Sequence, residues 1–225
     1  MKEICAIVNA RVGSSRVHQK MIRPYAGTTL IDIALEKLNK CGFFSHRYLA
    51  ASEETLTERV SSYDNIEVLS RNNDSVLPGP HHPTITFEHY LRLPTDPFFV
   101  INPCCAFLTI ETIESAFHLF QNTDYQSYIS AQRNRDWIFS SEGEPLTHRD
   151  SSTLQNTSDG AHRLKVNHAF YISRSSRFKN ENGRLWSLTV NDPHLIEINE
   201  DEAIDVDTEL EFQFSEFCYS QRRDK

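Results

Sequence analysis

The sequence predicts an α/β fold with a mostly parallel central sheet. Short apolar segments typical of buried strands alternate along the chain with segments whose apolar residues recur at helical spacing. Such alternation is typical of a parallel sheet with helices packed on its faces. Because ligands of these sheets bind at the carboxyl ends of the strands, the loops that follow the strands are the first candidates for a site.

The predicted elements follow one another in a regular order. Short apolar runs that end in turn residues predict strands at residues 4–9, 48–51, 66–69, 98–101, 127–131, 169–172 and 195–198. Apolar periodicity and flanking caps predict helices at residues 29–40, 53–62, 84–93, 110–120 and 208–219. Loops are predicted at residues 10–20 and 71–83, the second because of its prolines and asparagines.

Residues 133–165 interrupt this alternation. They contain few apolar residues and many Ser, Thr, Asn and Asp, so we expect an excursion from the main sheet, such as a small hairpin or arm. The whole chain of 225 residues is otherwise expected to form one domain, because this length suffices for a single core of useful size.

The overall composition argues against several functional classes. A formal net charge of −8 disfavours broad binding to nucleic acids or anionic membranes, so any anion must be held locally. No apolar run approaches the roughly 20 residues that span a bilayer, and no signal peptide is expected. Five cysteines without a spaced framework fit a reduced, cytoplasmic chain.

The loop at residues 10–20 concentrates positive charge within this acidic chain. It contains a small-residue turn and three cations: Gly13, Ser14, Ser15, Arg11, Arg16 and Lys20. Turn N–H groups and hydroxyls bind phosphate oxygens, Arg forms forked bonds to them, and Lys supplies a point charge. The pattern matches neither a Walker loop nor a dinucleotide fingerprint. Spacing alone leaves two interpretations open, a polyphosphate site and a polar loop with scattered surface cations.

A pair of carboxylates lies near the other end of the chain. Asp205 and Asp207 alternate, so in an extended segment both point to one face and supply two hard oxygen ligands for Mg²⁺. Alternatively, Asp207 and Thr208 cap the last helix, with Glu211 in its first turn. The two roles are compatible.

Three blocks of the sequence resemble the sugar-acid cytidylyltransferases, especially the acylneuraminate cytidylyltransferases. The block "AIVNARVGSSRVHQKMIRPYAGTTLIDIALEKL" is similar to their opening strand, Ala-Arg-x-Gly-Ser-x-Arg-x-x-x-Lys and Gly-x-x-Leu. The matching positions are Ala10, Arg11, Gly13, Ser14, Arg16, Lys20, Gly27 and Leu30. The block "AIDVDTELEF" resembles Ile-Asp-Ile-Asp-Thr-Glu-x-Asp/Glu, and "VNHAFYISR" resembles Pro-Asn-Gly-Ala-Ile-Tyr-Ile.

The resemblance implies a Rossmann-like nucleotidyltransferase fold with a small dimerisation insert, and residues 133–165 fall where that insert belongs. It implies transfer of CMP from CTP to the anomeric hydroxyl of a 2-keto sugar acid, such as a sialic-acid-like nonulosonic acid. Pyrophosphate is the second product, Mg²⁺ the cofactor and a homodimer the expected assembly. Neither a nucleic acid nor a membrane is expected as a partner.

The resemblance also assigns roles to individual residues. Arg11, Arg16 and Lys20 would hold the triphosphate and stabilise the leaving group, and Asp205 and Asp207 would bind the metal; Arg11, Lys20 and the two acids are the catalytic candidates. The nucleotide-binding candidates are Ala10, Arg11, Gly13, Ser14, Ser15, Arg16, Lys20, Arg71 and Asn102.

Three further positions carry weaker expectations. Arg71 falls where the family places an arginine near the base, and Asn167 falls where an asparagine would contact the sugar acid. For both, an ordinary turn role remains the alternative. Glu53 stands where the family often has Ser-Thr-Asp, and we interpret it as the solvated start of a helix rather than as a ligand.

The sequence departs from the family at the ribose and acceptor walls. In place of Gln-Pro-Thr-Ser-Pro-Leu-Arg it has "NPCCAFL" at residues 102–108, without the hydroxyls or the arginine. Met21 replaces an asparagine, and His168 replaces a glycine, which would crowd the pocket. The prediction is therefore a divergent cytidylyltransferase. The alternatives are a non-catalytic nucleotide-binding or scaffold relative and a nucleotidyltransferase with another base or acceptor.

Overall fold

A computed structural model of the chain describes residues 1–14, 16–76, 81–146 and 162–223, which form a seven-stranded sheet. Its strands are β1 (Cys5–Asn9), β2 (His46–Ala51), β3 (Glu67–Ser70), β4 (Pro97–Ile101), β5 (Tyr128–Asn134), β6 (Arg163–Arg174) and β7 (His194–Glu197). The order across the sheet is β3-β2-β1-β4-β6-β5-β7, and all neighbours are parallel except the two pairs that include β6. The predicted α/β class with a mostly parallel sheet is confirmed.

Six α-helices of the described residues accompany the sheet: α1 (Leu30–Lys40), α2 (Glu54–Thr57), α3 (Pro83–Thr86), α4 (Ile110–Asn122), α5 (Ser175–Asn180) and α6 (Glu209–Arg223). The long helices α1 and α4 start at threonine caps, where Thr29 and Thr109 accept hydrogen bonds from the N–H groups of Asp32 and Thr112. Side-chain capping thus fixes where these helices begin.

The predictions for the shorter helices are only partly right. The segment predicted as a helix at 53–62 is one α-helical turn, α2, followed by a 3-10 helix at Glu58–Ser62. The segment at 84–93 likewise contains α3 and then a 3-10 helix at Glu88–Arg92, because Phe87 leaves helical geometry. Segments this short gain little from helix propagation, so tertiary packing decides their conformation. The helix α5 was not predicted.

Apolar side chains alternate between the two faces of the sheet. Along β4, Phe99 and Ile101 belong to the larger core, and Phe98 and Val100 to a smaller core on the opposite face. The larger core includes the buried faces of α1 and α4, and the smaller one includes Phe178 of α5. With both faces covered, the carboxyl edge of β1 and β4 is left for a site.

The predicted excursion at 133–165 is described in part. Strands β5 and β6 remain paired out to Asn134 and Arg163, and Phe139 forms a β-bridge with Pro145 in the turn that follows. Residues 147–161 lie outside the described residues, so the dimerisation arm stays a prediction. Within the described ranges, no helix has the length and apolarity that crossing a bilayer needs. All five cysteines are free thiols.

Candidate active site

A cavity of about 370 Å³ opens at the carboxyl ends of β1 and β4. Its wall includes most of the predicted nucleotide-binding residues: Ala10, Arg11, Ser14, Arg16, Lys20, Arg71 and Asn102. Of the other two, Ser15 lies outside the described residues. Gly13 belongs to the same loop, and a Cβ added there would meet no protein atom within 4 Å, so packing does not require glycine at this position.

The loop after β1 is tied to the neighbouring strand by Glu53. The Glu53 carboxylate accepts hydrogen bonds from the Val12 N–H at 2.8 Å and from the Ser52 hydroxyl at 3.0 Å. Glu53 does stand at the start of a helix, as the N-cap of α2, but its carboxylate is bonded to the loop rather than solvated as we expected. The contact joins residues 41 positions apart, so no local sequence pattern reveals it. Glu53 instead orders the backbone of the cationic loop.

The cationic loop meets the carboxyl-terminal acids directly. Lys20 Nζ donates to the Val206 carbonyl at 2.6 Å and approaches Asp207 Oδ1 at 3.3 Å. Arg16 donates to the same Asp207 oxygen at 2.8 Å. Burial lowers the pKa of Lys20, but contacts with Cys104 and Asp207 outweigh it and leave that pKa raised. Lys20 therefore keeps its charge beside the cavity at neutral pH.

Asp205 lies next to this cluster with part of its charge uncompensated. Its Oδ2 accepts a long hydrogen bond of 3.5 Å from the amide of Asn102, and its buried Oδ1 has no hydrogen-bond partner. Burial, reinforced by the charge of Asp207, raises the pKa of Asp205 to about 6, although Lys20 acts in the opposite direction. A buried carboxylate oxygen without a donor is suited to a cation.

The capping alternative for the acidic segment is also realised, by the predicted Thr208 and Glu211 but without the Asp207 side chain. Thr208 and Glu211 form a capping box at the start of α6, because Thr208 Oγ1 accepts from the Glu211 N–H and Glu211 accepts from the Thr208 N–H. Asp207 contributes its backbone N–H to Glu211. The cap thus leaves the Asp207 carboxylate to Arg16 and Lys20.

Arg71 lies in the cavity wall, but most of its N–H groups already donate hydrogen bonds to other protein groups. The buried guanidinium donates to the carbonyls of Ala10, Ser75 and Thr86 at 3.3, 3.0 and 3.2 Å, and to the Ser75 hydroxyl at 3.3 Å. Burial lowers its pKa, yet arginine stays charged. Arg71 therefore joins the loop after β1 to the segment around α3.

A buried polar network lies behind this wall. His89 Nε2 donates to Asn9 Oδ1 at 2.8 Å, the Asn9 amide donates to the Tyr90 hydroxyl at 2.7 Å, and Tyr90 shares a hydrogen bond of 2.6 Å with Tyr171. Burial lowers the pKa of His89 to about 3, so its ring is neutral. The network fixes Asn9, which reaches the cavity wall.

The loop after β4, where the sequence departs from the family, packs mainly into the core. Cys105, Phe107 and Leu108 are buried, and the wall here consists of Asn102, Pro103 and Cys104. Lys37 of α1 donates to the carbonyls of Cys105 and Ala106 at 3.1 and 2.5 Å, and burial lowers its pKa to about 8. The loop backbone is thus well fixed although its hydroxyls and arginine are missing.

Asn167 is outside the wall of this cavity. Its Oδ1 accepts from the Ser130 hydroxyl at 2.6 Å and from the Ala169 N–H at 3.2 Å, whereas its buried Nδ2 has no hydrogen-bond partner. The next residue, His168, has a φ of 56°, in the region that glycine favours. Its ring lies 5.9 Å from that of Trp186. His168 therefore keeps a glycine-like backbone while adding an aromatic surface.

A sequence model described as cytidylyltransferase matches residues 5–183. The chain belongs to the cytidylyltransferase family. All residues of the cavity wall fall inside the matched region, and the prediction is confirmed at this level. A search of curated proteins found no match.

Solved structures show the same fold. A CMP:2-keto-3-deoxy-manno-octonic acid synthetase complexed with CTP aligns with a TM-score of 0.71 and 12% identity over 98% of this chain and 100% of that chain. The 4-diphosphocytidyl-2C-methyl-D-erythritol synthase of Anaerococcus prevotii aligns with a TM-score of 0.68 and 14% identity, covering 98% and 99%. The bifunctional IspDF of Campylobacter jejuni aligns with 0.61 and 12%, covering 94% and 54%. At these identities the likeness supports the nucleotidyltransferase fold alone.

Asp205 and Asp207 are too few to hold a metal by protein ligands alone, but their number fits a magnesium ion that also binds water and substrate phosphates. Among the residues that the structure describes, no three His, Cys, Asp or Glu side chains converge as metal ligands. Mg²⁺ commonly takes one or two carboxylates and completes its shell with water and substrate phosphates. The unpartnered Asp205 Oδ1 and the adjacent Asp207 supply that number of ligands.

Several residues of the site were not found from the sequence. Glu53 lies behind the loop after β1, and the cavity wall also includes Asn9, Ser75, His81, Thr86 and Phe87. Those after β3 lie in a segment without a recognisable motif, so only the fold shows that they face the cationic loop.

Proposed function

We propose that this chain transfers CMP from CTP to the anomeric hydroxyl of a 2-keto sugar acid and releases pyrophosphate in a Mg²⁺-dependent reaction. The observation that carries the proposal is the meeting of Arg16 and Lys20 with Asp207, beside Asp205, at one edge of the cavity. Membership of the cytidylyltransferase family supports CTP as the donor. A structural neighbour complexed with CTP, whose name includes a keto sugar acid, supports this donor and acceptor class.

The proposed reaction is an in-line displacement at phosphorus. A bond forms between the acceptor hydroxyl oxygen and the α-phosphorus, and the bond from that phosphorus to the oxygen bridging to the β-phosphate breaks. The electron pair leaves with pyrophosphate, and the hydroxyl proton is lost to solvent. In such transfers, positioning and neutralisation of negative charge supply most of the catalysis.

The residues of the cavity divide this work between them. Lys20 and Arg16 would bind the β- and γ-phosphates and stabilise the charge that grows on the leaving group. Arg11 would bind the phosphates from the opposite side of the loop. Its guanidinium also donates a hydrogen bond to the Val76 carbonyl at 3.4 Å. Asp205 and Asp207 would hold Mg²⁺, which supplies neutralisation of phosphate charge and acidifies the attacking hydroxyl.

The acceptor would bind beside Asn102, near Asn167 and His168. The Asn102 N–H donates to the Ala169 carbonyl at 2.9 Å, so these residues share the carboxyl edge of β4. The buried Asn167 Nδ2 is a donor suited to a sugar carboxylate or hydroxyl. His168 and Trp186 add aromatic rings to this side, where the family has a glycine, and this change favours an acceptor that differs from the usual nonulosonic acids.

The proposal is tested by pyrophosphate release from CTP and Mg²⁺. The acceptors to compare are eight-carbon keto acids, nine-carbon keto acids and a 2C-methyl-D-erythritol derivative. We expect release with at least one keto acid and none when Mg²⁺ is chelated. Pyrophosphate release only with the erythritol derivative would show that the acceptor is not a 2-keto sugar acid. Undiminished release in the presence of chelator would refute the dependence on Mg²⁺.

A second candidate function is a nucleotide-binding relative without turnover. The observation that favours it is the loop at 102–108, whose apolar side chains pack inward and present neither hydroxyl nor guanidinium groups to an acceptor. This candidate predicts that CTP raises the melting temperature while no acceptor of the panel supports turnover.

We further propose that the chain acts as a homodimer in the cytoplasm. The extended pair β5–β6 leads to Trp137, Ile138 and Phe139, which are about half exposed, and neighbouring exposed apolar side chains are typical of an interface. Light scattering at micromolar concentration tests the assembly, since a monomer would rule it out.

A further inference from the structure

The wall of the cavity opposite the cationic loop contains a histidine whose ring nitrogen lacks a partner. His81 lines the cavity together with Arg71, Ser75, Thr86 and Phe87. Its Nε2 is buried and has no hydrogen-bond partner. Of the buried unpartnered side-chain atoms in the described residues, this is the one that belongs to the cavity wall. Leaving such an atom unpaired is costly, so a ligand group is expected to pair with it.

The other polar side chains on this wall are largely satisfied by the protein. The Arg71 guanidinium donates four hydrogen bonds, to Ala10, Ser75 and Thr86. The Ser75 hydroxyl donates to the Asn72 carbonyl at 2.6 Å. Asn9 uses both ends of its amide within the buried network. Among the described residues of this wall, His81 is therefore the one with a buried polar side-chain atom that lacks a partner.

The position of His81 is set by the fold rather than by chance. Arg71 holds the Thr86 carbonyl at 3.2 Å, which fixes the segment that begins at His81 against the strand edge. From the other side this segment packs on Gly183, where an added Cβ would lie 3.0 Å from Thr84 and 3.1 Å from Pro83. Gly183 also has a φ of 84°, so a larger residue there would displace the segment.

We propose that His81 is a specificity-determining residue that hydrogen-bonds the nucleoside of the bound nucleotide through Nε2. The proposal rests on the proposed function, because it takes the triphosphate to lie on Arg11, Ser14, Arg16 and Lys20. A nucleotide with its phosphates there extends its nucleoside toward the far wall of the same cavity. A base edge and a ribose hydroxyl both offer the hydrogen-bonding group that Nε2 needs.

Binding of two ligands by the full chain tests this inference. We compare CTP with inorganic tripolyphosphate, which has the phosphates and lacks the nucleoside, by titration calorimetry. His81→Phe removes both ring nitrogens and keeps an aromatic ring. We expect it to weaken CTP binding about five- to tenfold, the range of one lost hydrogen bond, and to leave tripolyphosphate binding within about twofold.

Two further variants separate a contact from a disturbance of the loop. His81→Gln places an amide group near the position of Nε2, so we expect it to recover most of the affinity, whereas His81→Asn places its amide near Nδ1 and should not. His82→Phe serves as the matched control, because His82 is exposed and bonds Thr84 rather than the cavity. Loss of CTP binding in His82→Phe equal to that in His81→Phe would overturn the inference.

The remaining outcomes also decide the question. Unchanged CTP binding in His81→Phe, or equal weakening of CTP and tripolyphosphate, refutes the nucleoside contact. A loss for CTP that is absent for 2′-deoxy-CTP places the contact at the ribose, and a changed preference between CTP and UTP places it at the base. If the wild type binds another nucleoside triphosphate better than CTP, the proposed function fails, and the His81 comparison is run with that nucleotide.

Discussion

The two ends of the cavity are built on different physical principles. At the phosphate end, Arg16, Lys20 and Asp207 are charged, and their contacts join side chains from opposite ends of the chain. At the nucleoside end, Arg71 and Tyr90 are buried, Asn9 is half-buried, and all three are already hydrogen-bonded to the protein. The first set can exchange partners when a ligand arrives, whereas the second is preorganised and resists change.

The two ends also respond to pH in opposite directions. The pKa of Asp205 is raised to about 6, so its contribution to stability is present at low pH and is lost as pH rises through 6. The pKa of His89 is lowered to about 3, so its contribution is present above pH 6.5 and is lost as pH falls toward 3. Around pH 5 a fall in pH increases the stability contribution of Asp205 and decreases that of His89, so the two changes partly cancel in the wild-type chain.

The largest effect is expected from Asp205→Asn, which removes a charge while keeping the shape. We expect pyrophosphate release to fall about 10³-fold, because a metal ligand is lost. At pH 7 and with Mg²⁺ chelated, the variant should have a free energy of unfolding higher than that of the wild type by roughly 1–3 kcal/mol, because a carboxylate buried at energetic cost is gone. Denaturant unfolding measures this difference. The matched control is Asp201→Asn, an acid of the same segment that pairs with Arg222.

Two results would contradict this view of Asp205. One is normal turnover in Asp205→Asn, and the other is an equal loss of turnover in Asp201→Asn. Either would place the metal and the chemistry elsewhere in the molecule.

The next effect is expected from Lys20→Met at the same end of the cavity. Loss of the ammonium group beside Asp207 should lower the turnover number about 10²-fold, because charge on the leaving pyrophosphate loses a partner. Steady-state kinetics measures this effect. Lys40→Met, at an exposed lysine that pairs with Glu36 on α1, should stay within about twofold. A change confined to the KM for CTP would assign Lys20 to ground-state binding instead.

A smaller effect tests the nucleoside end through His89→Gln. The background chain carries Asp205→Asn, which removes the opposing effect of that carboxyl. In this background, lowering the pH from 7 to 5 should reduce the free energy of unfolding by about 2 kcal/mol, because His89 gains a proton in the unfolded state and not in the folded state. Adding His89→Gln should flatten that slope. Urea unfolding at several pH values gives the slope directly. An unchanged slope would show that another group is responsible.

The smallest effect is expected from Glu53→Gln, which weakens the link between the loop after β1 and the neighbouring strand. The variant keeps one acceptor for the Val12 N–H but loses the charge, so we expect CTP affinity to fall about fivefold. Glu54→Gln, at an exposed glutamate that starts α2, is the control and should bind CTP normally. Equal effects in both variants would mean that helix α2, and not the Glu53 contact, orders the loop.

The sequence predicted the central strands well because β1 and β4 are buried on both faces, which leaves a continuous apolar run. Each predicted strand overlaps an observed one, and the helices α1 and α4 begin after the threonines that cap them. The shorter helical segments were less predictable, since 3-10 and α geometry differ little in energy over one turn. The wall after β3, with His81, Thr86 and Phe87, could not be predicted, because nothing local links it to the cationic loop.

By itself, the amino-acid sequence determined the α/β class, the cationic loop after the first strand, the acidic pair near the carboxyl terminus and the family. Each of these depends on periodicity or on a short motif, which are local properties of a chain. Only the tertiary structure decided that Lys20 contacts Asp207, that Asp205 Oδ1 has no partner and that Glu53 holds Val12. Those facts depend on contacts between residues far apart in sequence, which arise when the strands assemble into one sheet.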